Sequence, residues 1–331
     1  MLSWDTRLEQ HIPNHMPADT AMTTAQFVAY IVFFVISLPF IYIRPHKLRW
    51  FLQVTSAGAI IFFLSFVIWA LATMGKGGFG DTISNKTQIP ATGGPMSTAW
   101  LMVYGIISTV GAIAAGLLNN NDYTRLARTP RHALLGQGIP FPFYAIVSSI
   151  FGILVVAATQ KRLGGPEWNP PTILTRLLEM DPTAGTRAAV FFGGLALCLS
   201  QLGDNVPGNA LAGGIDLASV FPRYINIRRG AYITAILSPI VNPWRLVGTA
   251  TTFLSVVAGY GVFLAPMTGL MVANYWIINK RKLDIDSLYR GNASSIYWYN
   301  GGVNWRAPIA VSIITASRFC RPASKLTLYS G

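Results

Sequence analysis

Residues 51–73, from Phe51 to Thr73, pass without a single charged side chain. A helix of that length rises about 1.5 Å per residue and so clears a hydrocarbon core of roughly 30 Å. In lipid every backbone N–H and C=O must find a partner within the protein, which makes a helix the natural form for such a run. Apolar runs recur at 24–43, 98–118, 140–159, 188–212 and 250–278, with a short one at 231–247 that Pro239 and Pro243 interrupt. Only 11% of the residues are charged, against about 25% in soluble domains. The expectation is an all-α integral membrane protein with about seven transmembrane helices.

The net charge of +13 would suit a nucleic-acid binder if it were gathered on one surface, but it sits in short loops between apolar runs. Arg44 to Arg49, Arg125 to Arg131, Arg223 to Arg229 and Lys280 to Lys282 follow the first, third, fifth and seventh runs. By the positive-inside bias these loops face the cytosol. The loop 74–97, on the opposite side, carries the glycosylation sequon Asn85-Lys86-Thr87. The sequence therefore reads as an extracellular segment 1–23, a bundle of seven spans over 24–279, and a cytosolic loop with an aberrant tail over 280–331. The apolar stretch from Trp305 to Ala316 begins like another span and breaks at Arg318 to Pro322, which reads as a fragment. Residues 1–23 are polar and lack a signal-peptide pattern. Cys198 and Cys320 form no disulfide framework. The partners expected are a lipid bilayer and a small molecule, not nucleic acid, with the plasma membrane as location.

The fifth run holds polar groups that are expensive in lipid. Asn205 and Asn209 stand four residues apart, on one helical face, and their amides offer both donors and acceptors. That set suits the alternating imide edge of a uracil-like ring; amides equally serve to bridge spans to one another. Pro207 has no N–H and crowds the carbonyl four residues back, that of Gly203, beside Asp204. A freed carbonyl next to an acid is a reasonable proton or cation site, and a buried carboxylate there would have a raised pKa. Asp204, Gly203 and Ser200 are the candidates, with a proton expected rather than sodium and no other cofactor. Asp204 paired with an unseen base is the competing reading. The glycines of the third run (Gly105, Gly111, Gly116), with Ala112, Ala114 and Ala115, permit an unwound segment or close packing. Pro266, between Phe263 and Met267, permits a kink. Asn121, Asp122 and Arg125 read as a structural or gating helix end. The histidines His11, His15, His46 and His132 all lie outside the runs, and Pro13 spoils a helical metal site at His11 and His15. No nucleophile–base set follows from spacing, so an enzyme is not expected.

Two stretches carry a resemblance. Asn119-Asn120-Asn121-Asp122-Tyr123-Thr124-Arg125 resembles the Asn-Ile-Pro-Asp-Phe-Thr-Arg motif of the nucleobase–cation symporter-1 family. Asp216 to Gly230, ending Tyr-Ile-Asn-Ile-Arg-Arg-Gly, is close to the pattern of its fungal uracil, uridine and allantoin permease branch. Arg44 to Trp50 and Tyr260 to Trp276 match as well, so that the likeness covers roughly 20–306. The resemblance implies twelve spans on a leucine-transporter-type (APC superfamily) inverted-repeat bundle, of which this chain would hold spans four to ten. It would lack the broken first span and the third span with its stacking tryptophan. The resemblance further implies that Asn209 binds the substrate with Asn205 nearby and that Gly111, Ala112 and Ile113 line the site. Ile113 stands where many members have a stacking tryptophan. Phe263 and Met267 would gate. The function implied is proton-coupled uptake of a uracil-, uridine- or allantoin-class substrate by alternating access, inactive in this fragment. The alternative is a truncated, non-transporting membrane protein or interacting subunit.

Overall fold

The computed structural model describes residues 11–17, 20, 22–43, 47–80, 97, 99–103, 105–106, 109, 116, 118–125, 127–241, 244 and 263–319, with the side chains of 314–319 excepted. The chain divides into two compact units, Met1–Ala91 with Asn121–Ala250, and Thr92–Asn120 with Thr251–Gly331. Regular structure among the described residues is helical; the one β-type pairing is an isolated bridge between Asn300 and Val303.

In the first unit, α1 (Thr24–Ile41) starts from a reciprocal cap. Thr23 Oγ1 accepts from the Gln26 N–H while Gln26 Oε1 accepts from the Thr23 N–H at 3.1 Å. There follow α2 (Leu48–Ala72), the short α3 (Asn120–Thr124), α4 (Pro130–Gly138), α5 (Pro140–Leu163) and α6 (Pro170–Met180). The core forms where α2, α5 and α6 meet, through Phe62, Phe66, Val67, Val155, Ala158, Ile173, Leu174 and Leu177. The segment α6 is amphipathic. Its buried residues Ile173, Leu174, Leu177 and Leu178 fall at helical spacing on one face.

The fifth apolar run becomes α7 (Ala184–Asn205), a π turn (Val206–Leu211) and α8 (Ala212–Val220). It packs on α2 and, through α8, on α9 (Ile227–Ile240). Where Gly214 and Gly230 face each other, the seam between α8 and α9 leaves no room for a Cβ. A Cβ on Gly230 would stand 2.7 Å from the Gly214 carbonyl oxygen, and one on Gly214 would stand 2.5 Å from that of Ile227. The conspicuous Asn-Ile-Arg-Arg-Gly block thus has a local explanation: Asn226 Oδ1 caps α9 by accepting from the Arg229 N–H at 2.9 Å, and Gly230 admits the neighbouring backbone. Arg228 of the same block lies over the Tyr42 ring at 4.1 Å, where a guanidinium is attracted to the ring face.

Four described helices are long and apolar enough to cross a membrane: α1, α2, Pro130–Leu163 and Ala184–Val220. In α1 no residue is buried, and Val35 and Ile36 are exposed; a helix apolar all round belongs in lipid or against other spans. The expected count of seven is therefore not reached among the described residues. The third and seventh runs, 98–118 and 250–278, are described only in part. The sixth, 231–247, is also described only in part; its described helix is the 14-residue α9, about 21 Å long at the usual helical rise and short of the hydrocarbon core.

In the second unit, α10 (Phe263–Ile278) closes with a π turn, Asn274–Ile278, and is followed by α11 (Ile285–Leu288) and α12 (Arg306–Phe319). The link between α10 and α12 is built, not loose. Asp284 caps α11, accepting from Ser287 Oγ at 2.6 Å; that hydroxyl, with the Ser287 N–H, holds the Asp284 carboxyl below its usual range. Ser295 Oγ in turn donates to the Ser287 carbonyl at 2.6 Å. The apolar stretch expected to break near Arg318 runs as α12 to Phe319.

Candidate functional site

The polar residues of the fifth run lie along one side of its helix. Gln201, Asp204, Asn205, Gly208 and Asn209 are exposed, while Leu202, Val206, Pro207 and Ala210 are buried. This is the spacing a helix gives to one stripe. Ala212, which an unbroken repeat would return to the stripe with Asn205 and Gly208, is instead buried. The π turn explains this: its wider turn takes up an extra residue and rotates everything after it. Its cause is Pro207. The last α-type bond before it runs from the Val206 N–H to the Leu202 carbonyl; Pro207 has no N–H to offer Gly203, so the ladder cannot continue in step.

Asn205 and Asn209 meet as their spacing foretells. Asn209 Nδ2 donates to Asn205 Oδ1 at 2.5 Å. This leaves Asn209 with its second N–H and its Oδ1, and Asn205 with its NH₂ donors. The pair thus keeps both donors and an acceptor, the kinds of group that an imide edge, with its two carbonyls and one N–H, calls for. Asp204 stands beside them, its Oδ1 3.8 Å from where a Gly208 Cβ would be. Asp204 is exposed, which corrects the expectation of a buried carboxylate at this place: the stripe faces outward, and the α7 residues that pack inward are apolar ones such as Leu202.

Gly203 has a packing role that the sequence did not announce. A Cβ there would lie 2.3 Å from Thr55 Oγ1, and Thr55 is buried with its hydroxyl donating to the Phe51 carbonyl at 3.0 Å. The glycine therefore lets α7 close onto α2. Ser200 is half-buried. Gly111, Ala112 and Ile113 lie outside the described residues. Phe263 and Met267 belong to the second unit, both exposed and one turn apart on α10, with Pro266 buried between them.

Two residues join the site that spacing alone did not put there. Gln201 extends the stripe by a turn; its i−4 relation to Asn205 was a readable signal. Tyr123 of α3 donates its hydroxyl to the Pro207 carbonyl at 2.7 Å, across 84 positions of sequence, and no local pattern marks such a bond. Tyr123 lies in the link between the third and fourth apolar runs. Burial pushes its hydroxyl pKa up, and the negative charges of Asp122, Asp204 and Asp216 push it further, so the group remains a donor.

Two apolar grooves of the first unit offer different chemistry. One, of about 620 Å³, runs between α2, α6 and α7 past Phe62, Phe66 and Trp69 to Arg162. The other, of about 660 Å³, lies between α1, α6 and α7. Neither is lined by Asp204, Asn205 or Asn209. A polar heterocycle needs placed donors and acceptors; the stripe gathers two amides and a carboxylate, whereas these walls are mostly apolar, with Ser65, Arg162 and Thr186 in the first groove and Gln26 and Thr175 in the second.

Residues 4–325 match the family of permeases for cytosine/purines, uracil, thiamine and allantoin. The chain belongs to this permease family. Among its relatives, an uncharacterized permease of Schizosaccharomyces pombe is 35% identical over 90% of this chain and 49% of its own length. The uridine permease of Saccharomyces cerevisiae is 34% identical over 95% and 48% respectively, and the allantoin permease of that yeast 33% over 92% and 47%. The resemblance read from residues 119–125 and 216–230 is thereby borne out, and its members are permeases rather than enzymes. The chain spans about half the length of the curated relatives it matches. No solved structure matches it.

Proposed function

We propose that the chain is the substrate-facing part of a secondary transporter that carries a uracil-, uridine- or allantoin-class molecule across the membrane together with a proton. The observation that carries this reading is the bonded amide pair Asn205–Asn209 beside Asp204, set on the polar stripe of a membrane-length helix that a π turn opens. Asn209 would hold the ring's imide edge through its remaining N–H and Oδ1, with Asn205 completing the set. Asp204 would take and release the coupling proton. Transport would follow alternating access, the family's two inverted halves rocking about a site near mid-membrane, at the plasma membrane.

Uptake of radiolabelled uracil, uridine and allantoin tests this. It is measured in cells lacking their own carriers, for the chain alone and for a chimera that takes its remaining length from the S. cerevisiae uridine permease. Asn209→Ala is expected to raise KM at least about tenfold, since truncation removes a bidentate contact and leaves substrate groups unpaired. Asp204→Asn is expected to abolish the dependence of uptake on external pH. If pH-dependent uptake persists in that variant, Asp204 is not the coupling group.

A further inference from the structure

The Tyr123 hydroxyl reaches the one carbonyl that lies between the two amides in sequence and opposite them in space. Residue 207 is two places from both Asn205 and Asn209, and two helical steps of about 100° put it on the far side of the helix from each. The exposures agree, with Pro207 buried and the amides exposed. A π turn is a rare, local departure from the α-helix, and Pro207 deprives it of a donor. Its shape therefore depends on what grips it from outside. Tyr123 donates to the Pro207 carbonyl at 2.7 Å; the ring is half-buried. In the motif that residues 119–125 resemble, the matching place is a phenylalanine, which has a ring but no hydroxyl to donate.

We propose that Tyr123 is a positioning residue for the amide pair: by fixing the Pro207 carbonyl, its hydroxyl holds the π turn in the register that sets Asn205 against Asn209, and so tunes which substrate the pair accepts. This rests on the reading that the amides contact substrate. The short α3 does not touch the imide edge itself. It acts through the backbone, from behind the turn.

Tyr123→Phe removes only the hydroxyl. Tyr232→Phe is the matched control, because Tyr232 donates to the Leu38 carbonyl at 3.2 Å, between two helices that also pack on the π turn, so that it removes a neighbouring interhelical bond and leaves the one to Pro207 in place. Hydrogen exchange is followed by mass spectrometry on the purified 331-residue chain in lipid nanodiscs. Tyr123→Phe is expected to speed exchange of the 208–212 amides about fivefold or more, the effect of losing one hydrogen bond, while Tyr232→Phe leaves them unchanged. In the uptake cells described above, Tyr123→Phe is expected to shift the ratio of KM values for uridine, uracil and allantoin by about fivefold, with Vmax retained. Unchanged exchange, or equal change in both variants, overturns the positioning role whatever the transport result. Faster exchange with unaltered KM ratios overturns the tuning of substrate choice. If even the unsubstituted chimera carries none of the three compounds, the substrate reading falls and the tuning with it; exchange still decides the grip on the turn.

Discussion

Gly230 shows how little room one position can leave. An added methyl group would meet the Gly214 carbonyl oxygen at 2.7 Å and its Cα at 2.9 Å, and backbone atoms cannot swing aside as a side chain tip can. Gly230→Ala is therefore expected to destabilise by about 1–3 kcal/mol, the usual result of forcing atoms into a packed seam. Gly194→Ala serves as the contrast, since nothing lies within 4 Å of its Cβ position; in a helix that change is neutral or stabilising by up to about 1 kcal/mol. Thermal unfolding of the purified protein in detergent compares the two. Motif comparison could single out Gly230 but not say why it is glycine, because the answer sits on another helix. Asp204 illustrates the opposite case. Its place beside a proline-freed carbonyl was readable, whereas its exposure was not, since the outward turn of the stripe depends on how α7 packs against α2.

Among the elements, the π turn Val206–Leu211 is the one whose geometry the proposed chemistry depends on. Pro207→Ala restores an N–H, and the α ladder can then run on from Gly203. The helix is expected to lose its extra residue and rotate α8 relative to α7, separating Asn209 from Asn205 or straining the α8–α9 seam. Stability should hold or rise by about 1 kcal/mol for the regained bond, while uptake falls at least about tenfold if the amides must act together. Calorimetry and uptake on the same variant separate those two effects. That a proline would interrupt this span was visible in the sequence. The form of the interruption was not, because a kink, a break and a π turn all begin with the same missing donor. The amphipathic face of α6 was legible from Ile173 to Met180, since its four buried residues repeat at helical spacing, whereas the start at Pro170 was not.

At the scale of the molecule, the apolar runs predicted membrane-length helices, and α1, α2, Pro130–Leu163 and Ala184–Val220 are such helices. The proposed orientation, with basic loops inside, places Asn85 outside. A glycosidase-sensitive mobility shift is then expected when the chain is made in a eukaryotic secretory pathway, and Thr87→Ala should remove it; an unshifted chain that is properly inserted would reverse the orientation. The seam of Gly214 and Gly230 bears on how such a molecule moves. Because the two backbones meet where Gly214 and Gly230 face each other, α8 and α9 are expected to move as one piece. A displacement of the link that joins them, 221–226, would then be carried to the π turn at the far end of α8 and to Asn209 within it.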